Sequence, residues 1–149
     1  MATQTEKYAL GSITTVGSTA LNSLANNTNV SLTVFDNTQG QAGDGYTLAD
    51  IELTVTFGTN PTANTGFSLW LLASADGTNY EAGSSSVTPA RLPDVVFPVI
   101  VTTSAQTITR RVSLPWGKMT PLLRNDGTGQ TIAASGNTLK IRPATRQSV

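Results

Sequence analysis

The chain has 149 residues with no Cys and no His, and its nine Lys and Arg are balanced by nine Asp and Glu. Without thiol or imidazole there is no disulfide, no thiolate metal site, no usual zinc ligand and no usual triad base. This length suits one domain that buries a core without staples, and zero net charge argues against a nucleic-acid partner.

In chain order, residues 1–10 show no apolar period and are expected to form an extended arm. Tyr8 and Leu10 are its anchoring side chains, and residues 11–149 make the single β-sandwich domain. Met1-Ala2-Thr3-Gln4-Thr5-Glu6-Lys7 lacks the basic-then-apolar layout of a signal peptide. The longest apolar run is too short for a membrane-spanning helix. Ile13 and Val16 mark a short edge strand between Gly11 and Gly17. Ser18 to Ala25 reads as one or two helical turns, capped by Ser18, with Leu21 and Leu24 on one face. Val30-Ser31-Leu32-Thr33-Val34 alternates as a strand, and Asp36 to Gly45 is a loop.

The centre of the chain carries the strongest pattern. Ile51-Glu52-Leu53-Thr54-Val55-Thr56-Phe57 alternates apolar and polar, as in a strand with one buried face. Gly58 to Gly66 breaks it. Phe67-Ser68-Leu69-Trp70-Leu71-Leu72-Ala73 is apolar on both faces, as in a strand covered on two sides. Asp76-Gly77 then turns the chain. The two strands are expected to pair as a hairpin at the centre of the core.

Glu81 to Pro93 is irregular. Val95 to Val101 predicts a strand that Pro98 places at an edge or bulge. Gln106 to Leu114 predicts another, with Ile108, Val112 and Leu114 inward and Arg110 interrupting that face. Lys118 to Asn125 follows, where Pro121 again argues for an edge. Thr138 to Arg142 is the last strand, ended by Pro143. About eight short strands separated by Gly and Pro predict an all-β, jelly-roll-like β-sandwich. Its predicted core is Val30, Leu32, Val34, Ile51, Leu53, Val55, Phe57, Phe67, Leu69, Leu71, Ile108, Val112, Leu139 and Ile141.

Candidate chemistry is sparse. Asp76-Gly77-Thr78-Asn79 offers oxygen ligands but lacks the acidic density that calcium needs, so a plain turn is the better reading. Asp44, Asp76 and Asp94 have nothing local that brings them together. Asp50 and Glu52 share a strand face, as ordinary solvent-facing charges do. Gly40, Gly43 and Gly45 precede a strand, not the helix of a phosphate loop. Ser hydroxyls have no His to activate them. No catalytic residue, cofactor or metal site is therefore expected. Arg110 and Arg111 put one guanidinium on each strand face, one of them pairing with a carboxylate or entering an interface. Trp70 reads as core. Trp116, between Pro115 and Gly117, either caps the sandwich end or stands exposed to anchor a partner or stack on a sugar.

Charge is uneven along the chain. Residues 1–90 hold Lys7 against seven acids, a net −6, and residues 91–149 hold eight bases against Asp94 and Asp126, a net +6. Interleaved strands mix these charges on the surface; segregated halves give two faces of opposite sign.

Several stretches carry a family resemblance. They are Tyr46…Ala49-Asp50-Ile51-Glu52-Leu53, Pro61-Thr62-Ala63, Leu71-Leu72, Ser74-Ala75-Asp76-Gly77-Thr78-Asn79-Tyr80, Leu114-Pro115-Trp116-Gly117-Lys118 and Ala133-Ala134-Ser135-Gly136-Asn137-Thr138-Leu139. This series, spanning roughly residues 18–142, resembles the capsid decoration (cement) proteins of tailed bacteriophages. Where related chains have a second Pro after Leu-Pro, this one has Trp116. The resemblance implies a non-enzymatic jelly-roll protein on the outer capsid surface of a virion. Its partners would be the major capsid protein and itself, as a homodimer or homotrimer. No site residue carries over. The partner-binding candidates, Tyr8, Leu10, Arg110, Arg111 and Trp116, come from the residues themselves. The alternative is a carbohydrate-binding or adhesin module of a phage tail or baseplate, with a surface glycan as partner. A Trp116 buried at a subunit contact favours the first; an exposed one beside a polar groove favours the second.

Overall fold

A computed structural model describes residues 6–38 and 45–148. It is all-β, with two five-stranded antiparallel sheets packed as a sandwich. Sheet A holds β1 (Glu6–Leu10), β2 (Thr14–Gly17), β5 (Leu48–Val55), β8 (Gln106–Ser113) and β10 (Thr138–Ser148). Its order is β1-β10-β5-β8, with β2 pairing the earlier part of β10. Sheet B holds β3 (Asn29–Ser31), β4 (Phe35–Asp36), β6 (Gly66–Ala73), β7 (Val95–Pro98) and β9 (Lys118–Asp126). Its order is β3-β9-β6-β7, with β4 also on β9. The ten strands among the described residues include two, β1 and β4, beyond the eight expected.

The pleat explains the core. Ala49, Ile51, Leu53 and Val55 of β5 and Leu139 and Ile141 of β10 are buried on the inner face of sheet A. Phe67, Leu69 and Leu71 of β6 meet them from sheet B. The apolar pattern on both faces of β6 has a second cause. Trp70 and Leu72 join Leu122 and Tyr80 in a separate cluster on the opposite face of sheet B. The segment after Tyr80 closes it, with Trp70 Nε1 donating to the Arg91 carbonyl at 2.9 Å. Trp70 is thus buried, as expected, but outside the main core.

Several expectations are corrected. The two central strands do not form a hairpin: β5 pairs β10 and β8, while β6 pairs β9 and β7. The polar connection crosses between sheets, and Phe57 and Phe67 at its ends pack with ring centres 6.2 Å apart. Alternation marks a buried face but does not name the partner strand. The expected arm is a strand over Glu6–Leu10, in register with β10 from Glu6↔Ser148 to Leu10↔Ala144; residues 1–5 lie outside the described residues. β10 runs on through Pro143 instead of stopping there, and Pro121 lies in β9, which has neighbours on both sides.

The helical turn is a single 3-10 turn, Thr19–Leu21, and the Ser18 side chain makes no cap bond. Leu21 and Leu24 are buried as expected. Val34 is 42% exposed because β3 ends early: Leu32 N–H donates to Pro121 and Thr33 N–H to Val16 of the other sheet, which breaks the alternation. Phe35 takes the core place. Ile108 and Val112 are only partly buried, since β8 is an edge strand.

Candidate functional site

The outer face of sheet A collects most of the partner-binding candidates. With Ile51 and Leu53 turned inward, Asp50 and Glu52 of β5 face out. Cross-strand partners share a face. The register sets Arg111 and Arg142 on either side of Asp50, Lys140 beside Glu52, Arg146 beside Tyr8 and Ala144 beside Leu10. Tyr8, Leu10 and the neighbouring Ile13 are 45%, 50% and 60% exposed.

The charges on this face are ordered. Arg111 grips Asp50 fork to fork, Nε to Oδ1 and Nη2 to Oδ2, both at 2.8 Å. That bond, and then the charges of Arg111 and Arg142, hold the Asp50 carboxyl below its ordinary value. The same bond raises Arg111. Lys140 Nζ lies 3.4 Å from Glu52 Oε1. Two guanidinium groups approach the Tyr8 ring, Arg111 at 5.2 Å and Arg146 at 5.9 Å from its centre, a double cation–π contact. Arg142 has no ion pair among the described residues. It lines a shallow depression of about 290 Å³ with Ile13, Asp50, Glu52, Thr109 and Lys140. Both carboxylates there are already engaged by cations of the same sheet face.

The acids of the first half of the chain meet bases of the second: Asp50 with Arg111, Glu52 with Lys140, Glu81 with Arg91. The strands interleave and the charges mix, so the two halves are not two faces of opposite sign.

Three of the five candidates, Tyr8, Leu10 and Arg111, therefore come together. Arg110 does not join them. It stands opposite Ile51, on the inward side of edge strand β8, exposed, with Nη1 donating to the Thr109 carbonyl at 3.1 Å. An inward-pointing charge on an edge strand discourages further strand pairing. Trp116 lies elsewhere, 65% exposed in its turn beside Ser74–Thr78 and Lys118. Ile13, Arg142 and Arg146 are additions. The signal for the two arginines was the alternation of β10, which continues past Pro143.

The Asp76 turn uses its own carboxylate. Oδ1 accepts from Thr78 N at 2.8 Å, Asn79 N at 2.7 Å and Ser74 Oγ at 3.0 Å, and Oδ2 accepts from Asn79 Nδ2 at 2.7 Å. These bonds, the backbone ones first, hold the carboxyl well below the usual carboxylate range. Asp94 is bound to Arg91 and to the Leu71 amide, and Asp44 lies outside the described residues. Among the described residues no three acidic side chains gather as a metal site would require. The chain matches no protein-family model and no curated protein.

Proposed function

We propose that this protein is a non-enzymatic virion structural protein that decorates the outer capsid surface. It docks on the major capsid protein through the outer face of sheet A. The observation that carries this reading is the meeting of Tyr8, Leu10 and Arg111 with Ile13 and Arg142 on one open sheet face. Tyr and Arg flanked by apolar side chains are the usual composition of interface hot spots. The outer face of sheet B is closed in part by its own chain over Trp70 and Leu122, so the two faces are not equivalent. The resemblance over residues 18–142 supplies the kind of partner, an assembled capsid lattice. A ligand that binds only the assembled shell stabilises it by mass action, without chemistry. Self-association as a homodimer or homotrimer belongs to the same proposal.

The test is addition of purified protein to undecorated capsids, with occupancy read by cryo-electron microscopy. Wild type is expected to occupy the lattice, and Arg142→Glu and Tyr8→Ala to fall behind at limiting protein. No binding by wild type overturns the decoration reading; equal occupancy by the variants overturns the choice of face. A second reading, a carbohydrate-binding module, is favoured by one observation: Trp116 is exposed beside a groove of mixed polarity that holds Asp76, Thr78 and Lys118.

A further inference from the structure

The turn that carries Trp116 is held from beneath by one buried side chain. Asn37 Nδ2 donates to the Pro115 carbonyl at 2.7 Å and to the Tyr46 carbonyl at 2.8 Å, and Asn37 Oδ1 accepts from Tyr46 N at 2.9 Å. Its backbone N–H donates to the Gly117 carbonyl at 2.9 Å. Both residues flanking the indole are thus tied to Asn37. The ring itself rests on Gly45: a Cβ there would lie 2.8 Å from Trp116 Cδ1, and Gly45 has φ +72°. The indole is held at one edge and is 65% exposed among the described residues.

The groove beside it has a volume of about 330 Å³ and walls that mix apolar surface with polar side chains. The Asp76 turn lines the same groove, itself rigid through its four bonds. Lys118 lies along Gly77, with its Cδ 3.6 Å from where a Gly77 Cβ would be. Its ammonium has no hydrogen bond or ion pair among the described residues, and it offers three donors. Thr78 contributes a hydroxyl, while that of Thr38 is already donated to Asp36 Oδ1 at 2.6 Å. Asp76 Oδ2 keeps acceptor capacity beyond its single bond from Asn79.

We infer that this groove binds a neutral saccharide, one pyranose ring stacking on Trp116 and its hydroxyls bonding to Lys118, Thr78 and the Asp76 carboxylate. An aromatic face with a few fixed donors and acceptors suits a ring that is apolar on one face and polar at its rim. The charges select a neutral sugar. Lys118 is outweighed by the Asp76 carboxylate in the groove and the Asp36 carboxylate whose charge it feels, so an acidic sugar gains nothing there. A protein anchor is the less suited use, because a hot-spot Trp works inside an apolar surround that excludes water. The site shares no residue with the sheet A face; it rests on the carbohydrate-binding reading and not on the docking proposal.

The experiment presents the full chain to an array of neutral oligosaccharides (β-glucan, α-mannan, galactan and N-acetylglucosamine oligomers) alongside uronic-acid and sialylated glycans. Trp116→Ala and Lys118→Ala are run in parallel, with unfolding midpoints to establish that they fold. Binding to at least one neutral series, weakened about tenfold or more by Trp116→Ala with the midpoint unchanged, is the expected result. A blank array, binding only to acidic glycans, or binding indifferent to Trp116→Ala overturns the site. Lowered capsid occupancy of Trp116→Ala with a blank array does so too, and makes the indole a protein anchor.

Discussion

Pro121 and Pro143 hold equivalent places in the two sheets. Each lies on a strand with neighbours on both sides, and each points its carbonyl into a gap between two short strands. Pro121 accepts from Leu32 N at 2.9 Å between β3 and β4, and Pro143 from Gly11 N at 2.8 Å between β1 and β2. A strand residue directs its N–H and C=O to the same side, so the donor each proline lacks also falls on the gap. No ladder bond to β6 or β5 is lost. Shifting the proline by one residue, Thr120→Pro with Pro121→Ala, turns the missing donor onto β6. It is expected to destabilise the fold by at least about 1–3 kcal/mol, read by urea unfolding. Pro121→Ala alone should change much less.

Gly66 opens β6 against β7, opposite Pro98. A Cβ there would lie 2.2 Å from the Phe97 carbonyl oxygen and 2.9 Å from its carbon, both backbone atoms that cannot swing aside. Gly66→Ala is expected to force the two strands apart and to destabilise by about 1–3 kcal/mol or more. Gly58 provides the control, since a Cβ there meets nothing within 4 Å. Gly58→Ala should leave the unfolding midpoint near wild type.

The Asp50–Arg111 pair predicts a pH signature. In the folded chain the bond from Arg111 holds the Asp50 carboxyl below its ordinary value of 3.8, at which the unfolded chain titrates. Between those two values the unfolded state binds more protons, so stability rises with pH there. The contribution is present above 3.8 and is lost as pH falls through the folded value. The stability gap between wild type and Asp50→Asn should therefore be widest at neutral pH and narrow on acidification below about pH 4. A gap that stays constant into acid would show that the pair contributes nothing to folding.

Residues Glu6–Leu10 form an edge strand against β10, so removing residues 1–10 strips five register pairs and the ring that Arg111 and Arg146 contact. The truncated chain is expected to unfold at lower temperature. Its backbone amides between Ala144 and Gln147 should exchange faster with solvent, because their partner is gone. Unchanged exchange and an unchanged midpoint would return this segment to the role of a free arm.

What the sequence by itself determined was local. The alternation of β5, the doubly apolar β6, the Asp76 turn and the inward row of Leu139 and Ile141 all follow from side-chain period and turn chemistry, and all stand in the structure. The grouping of Tyr8 with Arg111 was not legible, because 103 positions of sequence and two intervening strands separate them. Nor was the separation of β5 from β6: period two says that a strand has a buried face, not which strand lies beside it. The prolines misled for the same reason. Pro121 and Pro143 report a missing donor, and whether that matters depends on what stands opposite. Pairing is chosen by the packing of both sheets together, through contacts between residues distant in the chain, and only the tertiary structure decides it.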